Sequence, residues 1–98
     1  MDIKISVLKL FLAVVKAGNI LDAADTVSRS PSAVSTALKL LEEEIGGDLF
    51  ETDRKNQLTA LGQYLYDTAL IQVAGYEKAL LNVQAFAKGH LGKIQIAS

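Results

Sequence analysis

The first 45 residues repeat one pattern three times: a stripe of apolar side chains at helical spacing, bounded by capping or turn residues. The spacing predicts three short amphipathic helices, over about residues 5–17, 20–27 and 31–45. Gly18 ends the first helix and Asn19 caps the second. Short helices of this kind can cover their apolar stripes only by packing together, which predicts one small helical domain. The stripes are Leu8, Phe11, Leu12 and Val15, then Ile20, Ala23, Ala24 and Val27, then Val34, Leu38, Leu41 and Ile45.

The third helix carries its charges at the ends opposite to those that usually stabilise a helix. Ser30 is a good N-cap and Pro31 a good first residue, yet no acidic residue follows until Glu42. Glu42, Glu43 and Glu44 fill the last turn, where we expect them to face solvent, with an ion pair between one of them and a lysine as the alternative. A helix N-terminus carries about half a positive charge and normally gains from an acid nearby. An N-terminus left free of acids is suited to receive an external anion.

The second and third helices, joined by a tight turn, form the pattern of a helix-turn-helix, in which the second helix lies in the DNA major groove. Ser32, Ser35 and Thr36 form the outer face of the third helix. Such small side chains let a helix backbone approach closely, and their hydroxyls can bond base edges or phosphates. On this pattern alone, a generic helical bundle with a serine-rich surface remains the alternative.

The formal net charge of −1 argues mildly against a nucleic-acid partner, so the placement of the charges matters more than their sum. Arg29 and Lys39 lie within an acid-free stretch over residues 26–41, and Arg54 with Lys55 forms a second basic point. These positions predict a local basic stripe on an acidic body. The alternative for the acid-free stretch is a chance gap between acidic residues, and the alternative for Arg54 and Lys55 is a turn that is merely solvated.

Composition excludes several other functions. The chain has no cysteine, and its single histidine, His90, lacks a partner for metal or general-base chemistry, so we expect neither an enzyme nor a cofactor. Lys4, Lys9 and Lys16 interrupt the apolar N-terminal segment, which therefore resembles neither a signal peptide nor a membrane span. We expect a cytoplasmic protein without a membrane partner.

After Gly46 the pattern changes to a short hairpin followed by one long helix. Leu49-Phe50 and Leu58-Thr59 predict two very short strands joined by a charged turn, with Leu49 and Phe50 in the core. Thr59 then caps a helix over about residues 60–88, closed by Gly89 and about 45 Å long. A domain of some 60 residues cannot cover a helix of this length.

The long helix also carries an apolar heptad repeat, with alternating steps of three and four residues. A stripe of this size rarely stays bare on a soluble monomer, so it predicts a homodimer joined through these helices. Leu65, Leu70 and Leu81 lie off the stripe and predict some packing on the first helix. The predicted dimerisation residues are Tyr66, Ala69, Val73, Tyr76, Leu80, Val83 and Ala87.

The order and spacing of these motifs resemble the N-terminal region of LysR-type transcriptional regulators. The resemblance implies a winged helix-turn-helix over residues 1–59 and a linker or dimerisation helix over 60–88. Residues 89–98 would be a hinge and the first strand of a missing effector-binding domain. The matching residues are Leu8, Phe11, Val14, Ala23, Ala24, the run from Ser30 to Ser35, Leu41, Glu42, Gly46, Leu49, Phe50, Leu58, Thr59 and Gly62.

As a function, the resemblance implies sequence-specific binding of double-stranded DNA by an antiparallel homodimer, and it leaves a tetramer open for the full-length chain. A small-molecule effector is expected only for the missing domain, so no cofactor is expected here. The rival hypothesis is a helical dimerisation or protein-interaction module that binds no DNA. The implied DNA-binding residues are Arg29, Ser30, Pro31, Ser32, Ser35, Thr36, Lys39, Arg54 and Lys55.

Three residues depart from the family pattern. Pro31 stands where glutamine is most common, Thr36 where arginine or lysine is usual, and Thr52 where arginine is usual. The predicted wing also looks one residue short. These departures remove expected contacts with DNA and make Arg54 and Lys55 the substitutes expected in the wing.

Overall fold

The computed structural model describes residues 3–52 and 54–89, which contain four α-helices and one antiparallel pair of β-strands. This mainly helical fold with a two-stranded hairpin confirms the predicted fold class. The predicted hinge and strand over residues 90–98 lie outside the described residues. The elements are α1 (Ile5–Ala17), α2 (Ile20–Thr26), α3 (Pro31–Ile45), β1 (Phe50–Glu51), β2 (Arg54–Leu58) and α4 (Ala60–Ala87).

Side-chain caps fix the starts of α2, α3 and α4 at the residues that the sequence predicts. Each cap accepts a hydrogen bond from a backbone N–H group that has no partner within the helix. Gly18 and Gly46 end α1 and α3 with φ of 81° and 94°, in the left-handed region that favours glycine. The capping bonds run from Asp22 N–H to Asn19 Oδ1 (2.8 Å), from Ala33 N–H to Ser30 Oγ (3.2 Å) and from Gly62 N–H to Thr59 Oγ1 (3.0 Å).

The core lies where α1, α2 and α3 meet beneath the hairpin. The rings of Phe11 and Phe50 are 5.7 Å apart at an interplanar angle of 60°, which joins α1 to β1. Leu49 and Phe50 are buried, as predicted. The core cluster consists of Leu10, Phe11, Val14, Ala23, Ala24, Val34, Leu38, Leu41, Leu49 and Phe50.

The buried face of α1 is rotated from the predicted stripe. Leu10, Phe11 and Val14 are buried, whereas Leu8 and Val15 are only half-buried. The reason is that α1 is apolar around much of its circumference and packs against α2, α3, α4 and β2. Its neighbours, rather than its own periodicity, therefore decide which side chains are most enclosed.

The hairpin is longer on its second strand than predicted. Phe50 pairs with Leu58, and Glu51 pairs with Arg54 after an irregularity in the register. Arg54 and Lys55 therefore begin β2 instead of forming the turn, because the pairing extends to Arg54, the first residue of this strand. Their side chains lie outside the described part of the structure.

The first half of α4 packs against α1, while its second half extends beyond the domain. Ala69 and Val73 are buried within the single chain, and Lys9 Nζ lies 2.8 Å from Glu77 Oε2. Of the three leucines predicted to supply some packing on the domain, Leu65 is half-buried against the core, whereas Leu70 and Leu81 are 45% and 65% exposed. Tyr66, Ala69 and Val73 of the heptad stripe supply the rest of this contact, because they lie on the side of α4 that faces the domain.

Among the described residues, no helix combines the length and apolar content needed to cross a membrane.

Candidate nucleic-acid interface

The turn between α2 and α3 sets the start of the candidate interface. The N–H of Arg29 donates to the carbonyl of Ala24 (3.0 Å), and the N–H of Ser28 donates to the carbonyl of Asp25 (3.3 Å). These two bonds are those of a Schellman motif, whose left-handed position is usually glycine. Ser28 occupies it here, with φ of 58°. Sequence reasoning missed this position because no glycine marks it.

Replacing Ser28 by glycine is expected to stabilise the domain by about 0.5–1 kcal/mol. A left-handed conformation costs an ordinary L-residue roughly 1–2 kcal/mol, and part of that gain is lost to the greater freedom of glycine in the unfolded chain. Urea unfolding measures the change. Ser35→Gly is the matched control, because the same replacement inside α3 should destabilise by about 0.5 kcal/mol. Equal effects of the two variants would contradict the strain assigned to Ser28.

The N-terminus of α3 is exposed and holds no acidic residue in its first turn. Ser30 caps it through the N–H of Ala33, and Pro31 occupies the first helical position. Ser32 is exposed beside them, and Arg29 immediately precedes the cap. The positive end of α3 and the cationic Arg29 are therefore adjacent, and this combination suits an anion such as a phosphate.

The outer face of α3 continues this exposed surface. Val34, Leu38 and Leu41 anchor the opposite face in the core, so the polar face must point to solvent. The structure brings seven of the predicted DNA-binding residues together on this one side. They are Arg29, Ser30, Pro31, Ser32, Ser35, Thr36 and Lys39, and all seven are exposed.

Glu42 is not part of a solvated face, which corrects the prediction for the three glutamates. Its side chain is half-buried and its Oε2 accepts the backbone N–H of Leu49 at 2.8 Å. Glu43 and Glu44 are exposed. The Glu42 carboxylate thus ties the last turn of α3 to the start of the hairpin and fixes the wing relative to α3. Among the three glutamates, only Glu42 belongs to the matched family pattern, and that match was the signal in the sequence that could have set it apart.

The predicted dimerisation residues fall into two groups. Tyr66, Ala69 and Val73 pack within their own chain. Four others lie beyond the domain on the second half of α4 and are exposed. These four are Tyr76, Leu80, Val83 and Ala87.

Three packed helices, a tight turn before an exposed third helix and a two-stranded hairpin define a winged helix-turn-helix protein. The family model described as "Bacterial regulatory helix-turn-helix protein, lysR family" matches residues 5–63. The chain belongs to this LysR family, which confirms the resemblance found in the sequence.

Known proteins agree with this assignment. The transcriptional regulator TfdT of Cupriavidus pinatubonensis is 34% identical over 90 residues, which are 91% of this chain and 40% of TfdT. The crystal structure of the BenM DNA-binding domain with catB site 1 DNA superposes with a TM-score of 0.84 and 26% identity, covering 90% of this chain and 96% of that one. DarR of Vibrio fischeri, also solved in complex with DNA, gives a TM-score of 0.83 and 26% identity, covering 90% of this chain and 30% of DarR. The chain therefore spans less than half the length of TfdT.

Proposed function

We propose that this chain is the DNA-binding part of a LysR-type transcriptional regulator and binds double-stranded DNA sequence-specifically as a homodimer. The observation that carries the proposal is the exposed polar face of α3, with an acid-free N-terminus next to Arg29. In this proposal α3 lies in the major groove, and the wing near Arg54 and Lys55 contacts the backbone or the minor groove. The structures of the BenM domain and of DarR with DNA support it.

The roles of the residues follow from their chemistry. Ser32, Ser35 and Thr36 read base edges or bond phosphates, and the N-terminus of α3 binds a phosphate. The DNA-binding domain comprises residues 1–59 and the linker helix residues 60–88, with a hinge over 89–98 that leads to an effector-binding domain. The protein acts in the cytoplasm, and this part of it uses no cofactor.

Fluorescence anisotropy with labelled duplexes tests the proposal. A duplex selected from random sequences should bind more tightly than a scrambled duplex of the same length, and both affinities should fall as salt increases. Absence of binding to any duplex at low salt would favour the rival, a helical interaction module. Equal affinity for the selected and scrambled duplexes would contradict sequence specificity alone.

The wing cations are expected to set part of the salt dependence. Each phosphate neutralised contributes about 0.9 to the slope of log affinity against log salt. Arg54→Ala and Lys55→Ala should therefore each lower that slope by about 0.9 if each contacts one phosphate. Lys88→Ala, at the far end of α4, is the matched control and should leave the slope unchanged. An unchanged slope for both wing variants would remove the wing from the interface.

The dimer is proposed to form through the exposed second half of α4. Leu80 is 46% exposed there, next to Val83 at 63%. Leu80→Glu should dissociate the dimer, because a carboxylate would be taken out of water without a partner. Sedimentation velocity at tens of micromolar measures this. Leu81→Glu is the control one residue away, off the predicted stripe, and should stay dimeric. A monomeric parent chain, or a dimeric Leu80→Glu variant, would contradict this interface.

A further inference from the structure

α4 contains two glycines, Gly62 and Gly75, although glycine is less favourable within a helix than every residue except proline. Only Gly62 has a packing reason, because a Cβ there would overlap the carbonyl oxygen of Leu49. No neighbouring atom lies within 4 Å of a Cβ added to Gly75, and Gly75 is not among the glycines with positive φ. Neither space nor backbone conformation in the single chain therefore requires glycine at position 75.

The support that the domain gives to α4 ends just before Gly75. Ala69 and Val73 are buried against the domain, and Val73 lies two residues before the glycine. No residue of α4 after Val73 is buried. Gly75 therefore lies at the border between a half of α4 that is packed on the domain and a half that is free of it.

One ion pair crosses this border. Lys9 Nζ on α1 lies 2.8 Å from Glu77 Oε2, with the two side chains 48% and 51% exposed. It is the only ion pair between the domain and α4 beyond Gly75 among the described residues. An ion pair this exposed contributes little stability, because water and salt screen it. It therefore favours one orientation of the second half of α4 without fixing it.

We propose that Gly75 is a hinge about which each DNA-binding domain turns relative to the second half of α4, so that the dimer accepts half-sites at more than one spacing. The inference rests on the proposed function and assigns to it a residue that determines spacing specificity. Glycine leaves the backbone freer than any other residue and leaves its polar groups open to water. A glycine with no packing contact, placed where the support of the helix ends, is suited to bending.

The hinge matters for DNA binding because α4 connects the two domains in the proposed dimer. One base pair added between two half-sites rotates one relative to the other by about 34° and moves it by about 3.4 Å. A rigid dimer could follow this change only by deforming the DNA. A dimer with a hinge in each α4 can turn its domains instead.

Hydrogen exchange of backbone amides tests the hinge without DNA. The N–H groups of residues 76–79 bond the carbonyls of residues 72–75, so bending at Gly75 opens these bonds. They should exchange faster than the N–H groups of residues 80–83, and Gly75→Ala should slow them about fivefold. A variant that combines Gly75→Ala with Ala74→Gly is the matched control. It moves the glycine to another exposed position and should restore fast exchange.

Anisotropy titration tests the consequence for DNA. The probes are a duplex selected from random sequences and two versions with one base pair added or removed between its half-sites. The parent chain should bind all three with similar affinity. Gly75→Ala should keep its affinity for the best spacing and lose about tenfold or more for the others, because the stiffened dimer must deform the DNA. The variant with the glycine moved to position 74 should regain the tolerance.

The outcomes separate the hinge from the proposed function. Unchanged exchange of residues 76–79 in Gly75→Ala would overturn the hinge. A Gly75→Ala chain that is monomeric in sedimentation velocity would also overturn it, because the glycine would then serve a close contact between chains. A Gly75→Ala chain with the spacing tolerance of the parent would overturn its role in DNA binding. If the parent bound no duplex, the proposed function would fail, and the exchange rates would still decide whether Gly75 is a hinge.

Discussion

Replacing Gly62 by alanine is expected to destabilise the domain by about 3 kcal/mol or more, because the added methyl group has no space. A Cβ at this position would overlap the carbonyl oxygen of Leu49, and it would lie 2.9 Å from the Leu49 carbonyl carbon and 3.0 Å from Leu58 Cδ2. The Leu49 carbonyl cannot move freely, since it accepts the N–H of Thr59 at 3.0 Å. The first turn of α4 must therefore separate from the hairpin or the hairpin must shift.

Urea unfolding of the purified variants measures this effect. Gly75→Ala is the matched control, because no atom lies within 4 Å of the Cβ that it would add. That replacement in an exposed helix interior should stabilise the chain by about 0.5–1 kcal/mol. If both variants have the same urea midpoint as the parent chain, α4 does not approach the Leu49 carbonyl as closely as described.

The second large effect is expected at the start of α3, where Ser32→Glu should abolish DNA binding and leave the fold intact. A carboxylate in the first turn of a helix stabilises it by about 0.3–1 kcal/mol. The same charge would face the phosphates that this end is proposed to receive, at a cost of about 3 kcal/mol or more. By that estimate the affinity for every duplex falls more than a hundredfold.

Anisotropy titration and thermal unfolding of the same sample separate the two effects. Ser32→Gln is the control, because it matches glutamate in size without its charge and should lose far less affinity. A Ser32→Glu variant that keeps the parent affinity would show that the N-terminus of α3 is not an anion site. A variant that loses binding together with its thermal transition would point to misfolding instead.

Much of the fold could be predicted from the sequence because its signals act over a few residues. Asn19, Ser30 and Thr59 each cap a helix by bonding an N–H group three residues ahead, and Gly18 and Gly46 end helices through their own φ. The absence of acidic residues from the first turn of α3 can likewise be seen within a few residues of the sequence. For these reasons α2, α3 and α4 begin at the predicted residues, and the exposed face of α3 could be named in advance.

Tertiary structure alone decided which apolar side chains are enclosed and which polar groups are used. Ala69 and Val73 belong to a heptad stripe that looks continuous, yet α1 covers them and leaves Leu80 uncovered. Glu42 was predicted to be solvated together with Glu43 and Glu44, but its carboxylate accepts the N–H of Leu49, which is seven residues away in the sequence. The physical reason is that helix bounds depend on hydrogen bonds between near neighbours, whereas burial depends on elements that are distant in sequence and meet only in the folded chain.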